Sequence, residues 1–435
     1  MEWWVLGIIL FAGMLFLLFL GINIPFGLGF VAIIGIFLVW DNPVLGLMVI
    51  ANEAYHRGTS FLMMAVPMFV LMAEIIMVAG FNRDAYDALS RFLCRLPGGL
   101  AVATTVLSAL FAALTGSSVA NAAITGRVAI EEMERHGYNN GLAGGVVVAG
   151  GVLGILIPPS IPMIFYALFS EESVNALFIS GIVPAILGVT LMVIYIVTFA
   201  KLRPALVPPL PACSLKEAVK TSYKVIPLVL LIFFMIVAFY FGIASPTEIG
   251  GVAAFMALLI TIVYRRLNSW EKFKLGLQAA VKTVIMLMWI LVGALAFGTV
   301  LAYGGIAENL VDWVAGLPLS PFMILVGINI FLIVLGCVLE TGAIMMVVWP
   351  LLIGIAESLG FNLIWFAVIL VIQMEVAQIT PPVGIVLFAM KGIAPNISVG
   401  DLYRGVLPFV GILILVVVLV IAFPQIALWL PSTMR

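Results

Sequence analysis

Apolar runs of 17 to 28 residues, parted by short polar stretches, make up most of the chain. Ten are long enough to be read as membrane spans: 3–20, 24–40, 61–80, 142–169, 174–200, 225–241, 248–264, 281–303, 363–390 and 406–428. A helical span needs about 20 apolar residues, with about 17 as the lower limit. Two further apolar regions are cut at their centres. Leu100 to Ile130 is interrupted by Thr115-Gly116-Ser117-Ser118, and Pro321 to Leu359 by Glu340-Thr341-Gly342. Each half is short for a crossing. The pattern predicts two re-entrant helical hairpins, over 98–131 and 319–358, that enter and leave by the same side.

Two runs carry a break of another kind. Gly150 to Pro162 reads GGVLGILIPPSIP, and Gln373 to Gly384 reads QMEVAQITPPVG. The second proline of each pair lacks an amide hydrogen and clashes with the turn before it, so a helix must break there. In a bilayer the freed backbone groups are tolerated only where they line a polar cavity or are buried in protein. Two broken helices in matching places point to the binding site of a secondary transporter.

Composition narrows the class. Hydrophobic residues make up 65% of the 435 and charged ones 9%, against about 25% charged in soluble proteins. Mean hydropathy is +1.31. The chain therefore reads as an all-α polytopic membrane protein. A net charge of −1 offers no basic face to nucleic acid. The start, Met1-Glu2-Trp3-Trp4, lacks the positive leader of a cleavable signal, so 3–20 reads as a retained span with an interfacial Trp pair. Cys94, Cys213 and Cys337 are too few and scattered for a disulfide framework or zinc site, and His56 and His136 fall in polar connections.

Charge supports the hairpins. Let the chain start outside, count each full run as a crossing and each hairpin as none. Seventeen of the 19 Lys and Arg residues then lie inside, leaving only Arg57 and Arg435 outside. Asp41, Glu53, Glu171, Glu172, Glu308 and Asp312 fall outside, and both termini face outward. The connection 201–224, with Pro204, Pro208, Pro209 and Pro211, reads as a basic cytoplasmic linker. It divides scaffold helices (1–60) and a first repeat (61–200) from further scaffold helices (225–264) and a second repeat (265–435). Residues 82–96 suit an amphipathic helix at the inner interface, with 309–314 as an outer counterpart.

The repeat rests on five matches in register. Pro158-Pro159 matches Pro381-Pro382, and Gly137-Tyr138-Asn139 matches Gly360-Phe361-Asn362, both at an offset of 223. Gly181-x-x-Pro184 matches Gly405-x-x-Pro408, and Gly80 matches Gly304, at 224; Thr115-Gly116 matches Thr341-Gly342 at 226. One hairpin enters from each side by the charge count, so the halves are inverted copies.

The tips carry the candidate chemistry. Gly116 lets the first turn, while Ser117, Ser118 and Asn121 supply neutral oxygens of the kind a Na⁺ ion takes. The alternative is that these side chains satisfy the turn's own backbone. The broken helix of the same half, with Gly154 before its prolines, completes the first candidate cation region. Glu340, Thr341 and Gly342 pair likewise with Ala377, Thr380 and Pro381 in a second. Helix N-termini at Ser118, Ser160, Gly342 and Val383 favour anionic groups. Candidate anion contacts are Ser118, Asn121, Arg127, Ser160 and Gly342; Arg127 reads chiefly as a cytoplasmic anchor. Glu74 and Glu375 lie in apolar runs, and each reads equally as functional or as a structural hydrogen bond.

The runs TGSSVANAAITG and GYNNGLAGGVVVAGGVLGILIPPSIPMIFYAL, with SPTEIGG and ITPPVG later, resemble the large membrane subunit of tripartite ATP-independent periplasmic (TRAP) transporters over essentially the whole chain. The resemblance implies an inverted-repeat, elevator-type fold with a scaffold and a mobile transport domain in the bacterial inner membrane. It implies Na⁺ as coupling ion, no cofactor, and uptake of a small organic anion handed over by a periplasmic binding protein (P). It also implies a small four-helix partner subunit (Q). On the family pattern Gly116, Ser117, Ser118, Pro158 and Pro159 fall in the first sodium region. Thr341, Gly342, Thr380, Pro381, Pro382 and Gly384 fall in the second. Gln373 and Ala377 stand where the family commonly has Asn and Gly, and Arg127 where a small residue is usual. A stand-alone sodium/dicarboxylate symporter is the nearest alternative. An intramembrane hydrolase using Ser117 or Ser118 would need a base within reach, and neither histidine lies in a span.

Overall fold

In the computed structural model, residues 2–210, 223, 225–337, 339, 341–382 and 384–434 are described. Glu340, Val383, Cys213 and most of the 201–224 linker lie outside them. The first half runs α1 (Trp3–Phe19), α2 (Ile24–Val39), α3 (Pro43–Gly58), α4 (Ala65–Val78), α5 (Phe81–Leu93), α6 (Gly99–Thr115), α7 (Ser118–Arg135), α8 (Asn140–Leu153), α9 (Ile161–Ser170), α10 (Val174–Ser180) and α11 (Ile182–Leu202). The second runs α12 (Ile226–Tyr240), α13 (Pro246–Val263), α14 (Trp270–Tyr303), α15 (Ile306–Ala315), α16 (Pro321–Gly336), α17 (Thr341–Val347), α18 (Trp349–Ser358), α19 (Leu363–Ile379), α20 (Ile385–Ile393), α21 (Val399–Ala422) and α22 (Gln425–Ser432). Among the described residues six helical stretches are long and apolar enough to cross a membrane. The runs at 3–20, 24–40 and 225–241 become helices of 17, 16 and 15 residues.

The first interrupted region folds as helix, turn, helix; in the second, α16 is followed by two shorter helices, α17 and α18; and both proline pairs follow the end of a helix. The peptide bonds Pro158–Pro159 and Pro381–Pro382 are both cis. The Gly-aromatic-Asn matches mark helix boundaries. Gly137 and Gly360 adopt φ of 72° and 73°, and two residues on, Asn139 and Asn362 accept the backbone amides of Leu142 and Trp365 at 3.1 and 3.0 Å. Each pair thus closes one helix and caps the next. One match shifts: Gly80 (φ 73°) precedes α5, but the left-handed residue before α15 is Gly305 (φ 67°), since Gly304 has φ of −76°. Turn geometry, not residue identity, sets that register.

Helix α3 departs from the sequence reading, which placed 41–60 in a polar connection. Asn42 accepts the Val44 amide at 3.0 Å and starts it. Asn52, Glu53, His56 and Arg57 break up the apolar pattern and hide the helical period. Its counterpart is clear in the second half. There α14 runs unbroken for 34 residues, where α3 and α4 cover a similar length in two pieces. The run at 281–303 therefore begins eleven residues earlier than apolar content alone indicated. Helix α5 carries the amphipathic segment, burying Phe81, Ala85, Tyr86 and Ala88. Its Asp84 pairs with Arg266, just before α14. Cys337 is a free thiol.

The arms of the two broken helices occupy the centre. All of α8 from Gly141 to Leu153 is buried, and all of α19 from Trp365 to Ile379. Each is braced by the other half: α8 packs on α21, α7 on α20, and α19 on α8 as well as on α16. A second group forms where α14 crosses α2, α3 and α4, with α13 against α4. Large apolar side chains at the periphery, such as Phe37 (67% exposed), Phe233 (62%) and Phe255 (60%), are left for lipid to cover.

Candidate functional site

The first tip is a two-residue turn. Helix α6 ends at Thr115, Gly116 takes φ of 59°, and Ser117 is extended before α7. A side chain at Gly116 would be strained and would meet Ile161 at 3.0 Å, so the tip lies against the start of α9. The Ser117 hydroxyl accepts the Ala120 amide at 3.4 Å, the capping role that was the plainer reading of this residue. The break beside it consists of one tight turn over Gly154–Leu156, extended Ile157, the prolines and Ser160. Ser160 is fully buried, and its hydroxyl has no hydrogen-bond partner among the described residues. Gly154 is a packing residue: an added Cβ would lie 2.3 Å from that of Ala112 and 2.6 Å from the Ala109 carbonyl oxygen.

In the second half α17 begins at Thr341, whose buried hydroxyl also lacks a partner among the described residues. Thr380 is extended after α19 and donates its hydroxyl hydrogen to the Val376 carbonyl at 2.6 Å. Pro381 and Pro382 follow, and Gly384 has φ of 60° before α20.

One hydrogen bond ties the halves together. Ser118 Oγ, at the first tip, donates to Glu375 Oε2 at 2.5 Å across 257 positions of sequence. Gln378 Nε2 donates to Glu375 Oε1 at 3.0 Å. Glu375 is 3% exposed. These residues line a cavity of about 140 Å³ with Gly116, Ser117, Thr341 and Gly342 of the tips, and Ile155, Ile161 and Pro162 of the first break. Phe165, Met345 and Met346 add apolar surface, and α14 lines the cavity through Thr283, Met286, Leu287 and Ile290, in the middle third of that helix.

The structure thus brings Gly116, Ser117, Ser118, Thr341 and Gly342 to one cavity. Gly154, Pro158, Pro159, Ser160, Ala377, Thr380, Pro381, Pro382 and Gly384 belong to the adjoining breaks but do not line it. Asn121 is committed elsewhere. Its amide donates to the Ser108 carbonyl at 2.7 Å and its oxygen accepts from Thr125 at 3.1 Å, bracing α6 to α7. Arg127 is exposed on α7 and does not line the cavity. Glu375, Gln378 and Thr283 do line it and were outside the predicted ligand set. An acid in an apolar run was the available signal for Glu375; nothing local marks Thr283.

Two departures from the family pattern, Gln373 and Ala377, both contact α16. Gln373 Nε2 donates to the Asn329 carbonyl at 3.0 Å. The Ala377 methyl lies where a Cβ on Gly336 would be, 2.4 Å away. Gly336 and Ala377 therefore share one methyl of space. Gly336→Ala alone is expected to destabilise the protein by about 1–3 kcal/mol. Adding Ala377→Gly should restore most of it. Thermal melts of the two single variants and the double would show this coupling; additive losses would refute it.

Comparison with known proteins gives the family. The family described as "Tripartite ATP-independent periplasmic transporter, DctM component" matches residues 11–426. The C4-dicarboxylate TRAP transporter large permease protein DctM of Pseudomonas aeruginosa is 37% identical over 386 residues, covering 88% of this chain and 89% of that protein. The sialic acid TRAP transporter large permease protein SiaM of Vibrio cholerae is 30% identical over 421 residues, covering 97% of each. The crystal structure of the Alcanivorax borkumensis YdaH transporter superposes with a TM-score of 0.58 at 14% identity, covering 88% of this chain and 90% of that one. The YdaH likeness places the fold among all-helical, multi-span transporters. The chain belongs to the DctM family, the large membrane permease subunits of TRAP transporters, and is not an enzyme.

Proposed function

We propose that this permease imports a small organic anion by sodium-coupled, elevator-type transport, receiving it from a periplasmic binding protein and working with a small membrane partner. "Tripartite" in the family description supports the two partners. The observation that carries the sodium reading is the charge balance of the cavity. Glu375 is buried, and among the described residues no Lys or Arg lines the space beside it. With its carboxyl ionised, Glu375 would cost several kcal/mol there without a cation, which two hydrogen bonds only partly offset, so a bound Na⁺ is what would keep this acid charged. The unpartnered hydroxyls of Ser160 and Thr341 and the carbonyls freed at both breaks offer the oxygens a hard cation takes. We assign Na⁺ to the two tip-and-break regions, the first around Ser117, Ser118, Pro158 and Pro159, the second around Thr341, Gly342, Thr380 and Pro381.

The anion lies between the tips, at the N-termini of α7 and α9, where backbone amides and the helix dipole favour negative charge. A volume of about 140 Å³ has room for on the order of ten water molecules. That suits a short carboxylate better than a sugar acid and agrees with the dicarboxylate named for the Pseudomonas relative. The moving unit is the cross-braced set α6 to α9 with α16 to α21. It slides along α14, whose contact through Met286, Leu287 and Ile290 is apolar and makes no directional bonds to break. The separation of basic and acidic connections supports inverted halves, termini facing the periplasm and a site in the bacterial inner membrane.

The test is uptake of radiolabelled succinate into proteoliposomes holding the permease, its small subunit and its binding protein. Ser117→Leu and Thr341→Leu should each reduce sodium-driven uptake at least about tenfold, a loss of about 1.4 kcal/mol or more in binding, with monodisperse elution kept. Undiminished uptake would remove the tips from the mechanism. Uptake without the binding protein would favour a stand-alone symporter.

A further inference from the structure

A second cavity, of about 320 Å³, opens between α3 and the far end of α14. Its walls include Glu53, Arg57, Phe169, Thr299, Tyr303 and Met346. On α14 its lining residues run from Ala294 to Tyr303, against Thr283 to Ile290 for the tip cavity. At about 1.5 Å per residue the two centres lie roughly 18 Å apart along that helix. Met346 lines both cavities and is itself 2% exposed, so its side chain partitions them.

Among the described residues, Arg57 is the only Lys or Arg lining either cavity. Its Nε contacts Glu53 Oε2 at 3.3 Å, and Nη1 donates to the Leu168 carbonyl at 3.3 Å. Nη2 has no hydrogen-bond partner among the described residues. The Arg57 and Glu53 side chains are 41% and 44% exposed, and one turn apart on one helix. Such a pair is weak and easily exchanged. A guanidinium presents a planar fork that a carboxylate matches with two bonds. Tyr303, tilted against Trp40 at a centroid distance of 5.0 Å, places a phenol in the same wall.

We propose that Arg57 is a waiting site for the carboxylate of the cargo, on the side the binding protein serves. The anion displaces Glu53 from Arg57, rests in this cavity, then passes Met346 to the tips. Arg57 holds the cargo before the transported state forms, so it acts on capture and not on the crossing. This rests on the uptake reading above. It adds a binding step that neither sodium region nor the tip cavity supplies.

Two measurements on the full complex in proteoliposomes test it. The first uses Ala302→Cys, in the same cavity, with Cys337→Ser removing the free thiol. Its labelling rates with an anionic and a cationic methanethiosulfonate are compared, with the Cys337→Ser parent as background. Arg57→Gln should lower the anionic-to-cationic ratio by about an order of magnitude or more, since one unit charge ~4 Å away in a water-like dielectric changes each rate about fivefold, in opposite senses for the two reagents. Saturating succinate should slow anionic labelling while Arg57 is present and have no such effect in the Arg57→Gln variant. The second is succinate uptake: Arg57→Gln should raise KM about tenfold with maximal rate unchanged, and Arg57→Lys should recover part of the loss. A loss in maximal rate with KM unchanged would make Arg57 a latch on α9 and overturn the proposal, as would an unchanged labelling ratio. Wild-type complex that takes up no succinate would count against the uptake reading, while the labelling ratio still decides whether Arg57 sets the charge of this cavity.

Discussion

Gly405→Val should leave almost no folded permease. Gly405 lies on α21 where it crosses α8, and a Cβ there would sit 1.7 Å from the Gly141 carbonyl oxygen and 2.3 Å from its carbon. From the other side, a Cβ on Gly145 would sit 2.3 Å from the Gly405 carbonyl oxygen. Two backbones touch here, and Gly141 and Gly145, four apart, form the groove that permits it, as small residues do between membrane helices. Overpacking ordinarily costs about 1–3 kcal/mol because side chains shift aside. A carbonyl inside a fully buried helix cannot, so the helices must separate, and the loss should exceed about 4 kcal/mol. Gly411 on the same helix has nothing within 4 Å of its would-be Cβ. Gly411→Ala should therefore be neutral or gain up to about 1 kcal/mol of helix propensity. Yield of monodisperse protein in detergent and its melting temperature check both. A normal melt for Gly405→Val would mean that the two backbones do not touch.

The second large effect is expected at Glu375. Glu375→Gln keeps an oxygen for Ser118 to donate to, so the link between the halves survives and the fold should hold. It removes the charge. If that charge balances a sodium ion, losing about 3 kcal/mol of a buried ionic contact lowers sodium affinity about a hundredfold. The sodium concentration for half-maximal uptake should rise accordingly, and stabilisation of the protein by sodium should vanish. Glu375→Leu should do this and also leave the buried Ser118 hydroxyl without its acceptor, at a further cost of about 1–3 kcal/mol in stability. Wild-type sodium dependence in Glu375→Gln would reduce Glu375 to a brace between the halves and place the ion elsewhere.

Those two residues divide what could be read early from what could not. Gly405 was visible as one of five matches between the halves, but its reason was hidden: nothing in its surroundings along the chain says that it meets Gly141. Glu375 was visible as an acid in an apolar run. Its partner Ser118 lies 257 positions away, and only the packing of α7 against α20 and α19 against α8 brings them together. Arg127 sits nine residues beyond the first tip and reads chiefly as a cytoplasmic anchor; the helix carries it out to an exposed position, away from the cavity.

Helix breaks, turns and caps follow from rules that act within four or five residues. A proline without an amide hydrogen, a glycine at positive φ and an asparagine capping the next helix behave alike in any surroundings. The hairpins, the broken helices and the two-fold order of elements were therefore written in the amino-acid sequence. Helix α3 escaped because its polar residues mask the period. The cavity, the Ser118 to Glu375 bond, the α14 wall at Thr283 and the Met346 partition came only from tertiary structure. Those contacts depend on which helix faces meet, and that is set by the shapes of side chains drawn from both halves, which no local pattern records.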